Sequence, residues 1–335
     1  MRRPRSFYVY GAIALALLVG LVGVPAVVKN RYFIHILIMT YMYIALALSY
    51  DLVVGHVGLL SLAHPTFFGV GAYAAALLST RFGAPFWATF ALGAIVAAGL
   101  AFLASFPFFR LAGVSFSIGT LGFALIMQLV ANNEIWLTNG PMCLTGVSRP
   151  RLTIPPLLDW RVSSVADYYY LVLGMLIIVV ALCSRLTTSR VGRAFIAIRE
   201  DEILAMASAV NVLKYKTLAF VIGALIAGSL GAYYAHYSTL VCPSDLSNYM
   251  TTILLIVLFV GGVGTMRGVI LGGILFTVIP EILRITPQFR MLIYGVLLLV
   301  VIVYVPDGLE GSLTRWLGKS RLSSTRATSG EDKHG

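Results

Sequence analysis

Apolar residues in this chain fall into long blocks interrupted by short charged or Gly/Pro-rich stretches. Windows of bilayer length can be read at Phe7–Val28, Tyr32–Val54, Pro85–Phe109, Leu111–Ala131 and Thr217–Leu240. Shorter windows lie at Phe67–Thr80, Tyr168–Ser184, Met250–Val263, Gly268–Leu283 and Met291–Val305. No segment shows the ten-residue alternation of a membrane β-barrel, so the blocks read as helices. The expectation is an all-α polytopic membrane protein of about ten transmembrane helices, some of them broken or re-entrant. The window at Phe67–Thr80 reaches bilayer length only if part of the Gly-rich stretch Gly55–Thr66 also enters the membrane.

Composition agrees. Of 335 residues 59% are hydrophobic and 11% charged, and the mean hydropathy is +0.92. A soluble domain carries about 25% charged residues, so this chain has too few to cover a water-facing globule. Abundant Leu, Ile, Val and Phe exclude disorder, and three cysteines exclude a disulfide scaffold. With the N-terminus in the cytoplasm and ten alternating crossings, 16 of the 24 Lys and Arg fall inside and 8 outside. That bias places both termini in the cytoplasm. The net charge of +11 then reflects topology and attraction to anionic membrane lipid, in preference to nucleic acid.

The basic start Arg2, Arg3, Arg5 precedes an apolar run too long for a signal peptide, and is read as a retained first helix. Residues 1–317 form the membrane unit, with an external loop at 132–167 and an internal segment at 185–216. The Ser/Thr/Lys/Arg-rich tail at 318–335 reads as disordered and has no assigned function.

Much chemistry is missing. There is no Walker A sequence, no HExxH, no CxxC and no Gly-x-Ser-x-Gly, and the five histidines do not cluster at ligand spacing. The chain therefore offers no catalytic set, no metal ligands and no cofactor of its own. Any uphill movement of solute needs energy from another polypeptide. Cys143 and Cys242 both lie in external loops, where a disulfide is permitted, but two free thiols are the expectation. Cys183 reads as a small packing residue.

Three segments carry content. The run from Asp51 to Tyr73 holds four glycines, Pro65, His56 and His64 between two apolar blocks. Irregular backbone at membrane depth is tolerated where it is buried in protein or lines a cavity, and transporters place substrate there. Asp51 is costly in lipid and is expected to face the interior and find a partner. The second segment, Gly192 to Lys216, lacks Pro and Gly after Arg193 and is expected to be one amphipathic helix. Its apolar stripe is Ile196, Ile203, Ala207 and Val210. Arg199, Glu200, Asp201 and Glu202 lie off that stripe, on a mixed-charge edge suited to docking into a partner's groove. The third runs through Gly261-Gly262-x-Gly264-Thr265 and Gly268 to Glu281. Close packing explains its glycines, while Glu281 in an apolar context is a pathway candidate. Gly71-Ala72-Tyr73 and Gly231-Ala232-Tyr233 echo each other, which shared small-residue packing explains.

These residues resemble a known family. Gly58-x-x-Ser61-Leu62-x-His64 is followed by Phe67-Phe68-Gly69-x-Gly71-Ala72-Tyr73. Gly192-Arg193-Ala194 and Ala197-Ile198-Arg199-Glu200-Asp201-Glu202 come next, then Lys216 and Ala219-Phe220. Gly261-Gly262-x-Gly264-Thr265 and Pro306-x-Gly308-Leu309-x-Gly311 complete the set. Order and spacing together are similar to the LivM-type permease subunits of bacterial ATP-driven importers for branched-chain amino acids, from about Tyr32 to Gly311.

The resemblance implies a transport subunit in the bacterial inner membrane and not an enzyme. It implies a second homologous permease subunit, two cytoplasmic ATPase subunits that bind ATP and Mg, and a periplasmic substrate-binding protein. Segment 185–216 would carry the ATPase-coupling element through Gly192, Arg193, Arg199, Glu200, Asp201 and Glu202. Substrate would pass near Asp51, Ser61, His64 and Glu281. The chain departs from the family at His56 (usually Tyr), Leu60 (Gln), Ala63 (Gly) and Asp51 (often Asn), which leaves open urea, amides or aromatic acids as solutes. An ion-coupled secondary transporter would need intramembrane carboxylates, for which only Asp51 and Glu281 are offered. A lipid-modifying enzyme would need a nucleophile or metal set that the sequence lacks.

Overall fold

The computed structural model describes residues 22–25, 30–154, 158–162 and 164–282, with separate positions at 295–296, 299, 308 and 310–311. The windows at Phe7–Val28 and Met291–Val305 lie largely outside the described residues, and the 318–335 tail wholly so.

Helix α1, Arg31–Asp51, opens on Asn30, whose side chain accepts from the Tyr32 N–H. It has no Gly or Pro for 21 residues and then widens into a π-helical turn, Leu52–His56. Gly58, at φ +81°, turns the chain away. Helix α2, His64–Phe82, starts with Pro65 in its first turn and stops at a left-handed Gly83. Helices α3 (Phe86–Phe108), α4 (Val114–Asn133) and the short α5 (Ile135–Thr138) follow. A Ser164/Asp167 capping box opens α6, Val165–Thr188. Then come α7 (Arg190–Glu200), α8 (Glu202–Ala207), α9 (Val212–Ser238), α10 (Asn248–Gly261) and α11 (Met266–Ile282).

Among the described residues five helices are long and apolar enough to cross a membrane: Arg31–His56, α3, α4, α6 and α9. The chain is thus a largely helical, multi-pass membrane protein. Helix α2 has the length, at 19 residues, but His64, Pro65 and Arg81 lower its hydropathy. It sits inside the bundle instead, against α3 and α9. Helix α1 is the hub, 78% buried over its apolar window, whereas α4 is 22% buried and leaves Ile118, Ile126 and Leu129 exposed. The α2–α9 contact depends on absent side chains: a Cβ on Gly71 would lie 2.3 Å from the Gly228 carbonyl, and one on Gly231 1.9 Å from the Phe68 carbonyl. Lipid offers no hydrophobic drive between helices, so such close backbone contact is what holds them together. The two Gly-Ala-Tyr echoes are the two sides of this contact.

Three expectations need correction. The fold is not purely helical, because β1 (Leu144–Thr145) pairs antiparallel with β4 (Leu240–Val241), and β2 (Arg151–Ile154) with β3 (Leu158–Arg161). Strands of two to four residues are too short to show periodicity. The free-thiol reading fails too: Cys143 and Cys242 form a disulfide with Cα atoms 4.4 Å apart. Each adjoins its strand, so the Leu144–Val241 register brings the sulfurs together. Cys183 is buried and free, as expected.

Finally, Gly192–Lys216 is not one helix. Asp201 leaves helical geometry at φ −155°, and its side chain accepts from the Ile203 and Leu204 N–H groups, so it ends α7 and caps α8. The register shifts with the break. Phe195, Ile198, Ala205 and Val212 are buried, while Ile196 and Ile203 of the expected stripe are 46% and 76% exposed.

Candidate functional site

The end of α1 gathers all three informative segments. Asp51, 1% exposed, accepts a 2.8 Å hydrogen bond through Oδ1 from the backbone N–H of Gly264. Its Oδ2 lies 3.4 Å from Nδ1 of His56 in the π-turn. A buried polar side chain needs hydrogen-bond partners, and each oxygen of Asp51 has one within reach.

Arg199 reaches the same place from α7. Its Nη1 donates to the Gly55 carbonyl, a group the π-turn has left free for a side chain. Glycine is required around it: Gly58 lies under the Arg199 Cγ, and a Cβ on Gly264 would meet Nη1 at 2.6 Å. A Cβ on Gly55 would strike Asp51 Oδ1 at 2.0 Å and the Gly264 nitrogen at 2.5 Å. The arginine therefore clamps the break in α1 to the α10–α11 turn. That turn is itself supported by Gly308, which packs on Gly262, and by Glu310, whose Oε2 accepts from the Gly268 N–H at 2.9 Å.

A cavity of about 550 Å³ opens beside the clamp. One wall is the irregular backbone Val57–Leu60 and the other is Ile198–Glu202, with Arg110 and Lys216 at its edge. Lys216 Nζ and Glu202 Oε2 are 2.6 Å apart, an ion pair tying α8 to the start of α9. Displacement of α7 and α8 would change this cavity directly.

The other expected residues divide. Ser61 and His64 are fully interior. Ser49 Oγ and His64 Nε2 share a 2.8 Å hydrogen bond, and Tyr50 stacks on the imidazole at 4.9 Å while its hydroxyl donates to the Ser61 carbonyl at 2.7 Å. Neither lines the cavity beside the clamp. Gly192 serves the turn between α6 and α7, where a Cβ would sit 2.1 Å from the Thr187 carbonyl. Arg193 and Glu200 are exposed. Glu281 lies in α11, with its side chain outside the described residues. Sequence reasoning missed Ser49 and Tyr50, although polar groups at the end of an apolar run are a usable signal. It also missed that Gly55 and Gly264 act through their backbone polar atoms.

Comparison with known proteins gives a consistent result. The family model for the permease component of branched-chain amino acid transport systems matches residues 32–302. The chain is 32% identical over 314 residues to the high-affinity branched-chain amino acid transport system permease protein LivM of Salmonella typhimurium, covering 88% of this chain and 73% of that protein. The LivM protein of Escherichia coli gives the same identity and coverage. The corresponding LivH permease of Salmonella typhimurium is 25% identical over 295 residues, covering 80% of this chain and 91% of that one. No solved structure matches the chain.

Proposed function

We infer the working role from this premise: the chain belongs to the family of permease components of branched-chain amino acid transport systems. It is a transport subunit, not an enzyme. Its similarity to both LivM and LivH proteins implies a shared transport system with two related permease subunits. The reading is that it forms one half of a translocation pathway in the bacterial inner membrane, and that the solute is a branched-chain amino acid. Two cytoplasmic ATPases, which hold ATP and Mg, supply the energy, and a periplasmic binding protein delivers the solute.

The Arg199–Gly55 hydrogen bond carries the mechanistic part of this proposal. It joins the exposed α7–α8 segment to the break in the central helix, so a push on that segment reaches the membrane core without passing through a flexible loop. The exposed Ile196, Ile203, Leu204 and Met206 supply an apolar face for the ATPase to grip, beside Glu200 and Arg193. Orientation has independent support. The Cys143–Cys242 disulfide lies at the opposite end of the bundle, and disulfides persist in oxidising compartments. The reading is that the clamp faces the cytoplasm, in line with the Lys/Arg bias, and that both termini lie on that side of ten crossings.

The direct test is Glu200→Lys, since Asp201 caps α8 and Glu202 pairs with Lys216. Membrane insertion should be normal, while ATPase co-purification and solute uptake fall together. Wild-type co-purification and uptake would remove the docking assignment. Labelling of Ile203→Cys by an impermeant maleimide from the periplasm would overturn the orientation.

A further inference from the structure

At the end opposite the clamp a second cavity, of about 660 Å³, opens between α1, α6 and α9. Arg31, the first residue of α1, and Arg149, in the external loop, both line it. Neither side chain has a hydrogen bond or ion pair among the described residues. Arg81, also at this end, differs: its guanidinium donates to the Trp136 and Leu137 carbonyls. None of the described lining residues is acidic. The nearby Asp167 carboxylate is engaged in the α6 capping box, accepting from the Ser164 N–H at 2.9 Å.

A further part of the lining has the opposite polarity. It is the C-terminal end of α9, at Ser238 and Thr239, where the helix dipole is negative. Tyr234 lines the same cavity, and Met39 adds an apolar surface. His35 bonds the Tyr237 hydroxyl and stacks on its ring, fixing that wall. The volume lies in the range of small-molecule sites. Two guanidiniums without a hydrogen bond or ion pair among the described residues thus share a cavity of that size with the C-terminal end of α9. This arrangement complements a carboxylate and an ammonium borne on one small apolar molecule.

We propose that this cavity is an entry site on the permease itself, in which Arg31 and Arg149 hold the carboxylate of the incoming amino acid. The inference rests on the family reading for the identity of the solute, but the carboxylate recognition stands on the cavity. The ammonium lies towards Ser238 at the negative end of α9, and the solute's side chain lies against Met39. The binding protein then releases its load to a site of matching charge, not to bare membrane.

The test uses the complete importer with its ATPases in lipid nanodiscs, without binding protein, and ligand-observed saturation-transfer NMR. The probes are leucine, isocaproate (which lacks the ammonium) and isopentylamine (which lacks the carboxylate). Leucine and isocaproate should give signal and isopentylamine none. Arg31→Gln with Arg149→Gln should weaken the two carboxylates about tenfold or more, with the Lys pair restoring part. Basal ATPase activity, which does not involve this end, checks that the variant complex is intact. Equal carboxylate signal in the Gln variant, no signal in wild type, or an amine signal as strong as leucine would overturn the proposal. So would a variant that loses affinity for the binding protein while leucine signal persists, since the arginines would then be a docking contact. Failure of the wild-type importer to accumulate any amino acid would sink the family-based substrate, while the isocaproate result would still decide the site.

Discussion

Asp51 Oδ1 and the Gly264 N–H are 2.8 Å apart across 213 positions of sequence. This bond makes a carboxylate at the end of α1 the cap of a turn between α10 and α11. An acidic side chain in an apolar block invites assignment to a transport pathway. Here both of its oxygens have a partner, Gly264 and His56, beside the Arg199 clamp.

Replacing Asp51 separates shape from hydrogen bonding. Asp51→Asn keeps an oxygen for Gly264 and should retain most stability, whereas Asp51→Leu leaves that buried N–H unpaired at a cost of about 1–3 kcal/mol. Thermal unfolding of the purified permease should show a clear drop for Leu and a small one for Asn, with uptake following the same order. Equal stability of Leu and wild type would show that the cap contributes nothing.

Gly192→Ala adds a methyl group where the Thr187 carbonyl stands 2.1 Å from the ideal Cβ position. Backbone has to move, at about 1–3 kcal/mol, and the α6–α7 turn loses its geometry. The expected outcome is reduced co-purification with the ATPase although no docking surface has been altered. Unchanged co-purification would show that the turn adapts.

The disulfide joins residues 99 positions apart, so in the chain-entropy view its removal costs up to about 4–5 kcal/mol. Cys143→Ser and Cys242→Ser should each lower the unfolding temperature, and by the same amount as the double variant. The wild-type protein should change mobility on non-reducing gels when reductant is added. A double variant as stable as wild type would mean that the β1–β4 ladder alone holds this end.

Burial pushes the Asp245 carboxyl above the ordinary carboxylate value, with the hydrogen bond from the Cys242 N–H acting against it. The folded state therefore holds this proton more tightly than the unfolded chain. Stability contributed here is present at low pH and is lost as pH rises from the ordinary value through the raised one. From about pH 4 upward, Asp245→Asn should flatten that part of the decline while keeping an acceptor for Cys242. An unchanged slope would place the pH dependence elsewhere.

The sequence by itself determined the membrane class, the helical blocks and the family motifs. Each of these is local: hydropathy sums over a window, and α1, α3, α4, α6 and α9 appear within a few residues of their apolar blocks. It also marked Asp51 as a residue that must find a partner, because an isolated carboxylate in lipid is too costly to leave alone. The partner itself was not legible. Gly264 and Gly55 act through backbone N–H and carbonyl groups that every residue carries, so nothing in their side chains announces the role.

Tertiary structure alone decided that the Asp51, Gly192–Lys216 and Gly261–Gly268 segments converge on one clamp, that Cys143 meets Cys242, and that Arg31 and Arg149 share a cavity. It also overruled the single amphipathic helix, since the Asp201 side chain satisfies two backbone donors better as a cap than as one more exposed charge. The common reason is that these outcomes depend on distances between groups far apart in the chain. Periodicity reports which face of an element is apolar, and it is silent on which backbone atoms another element will approach.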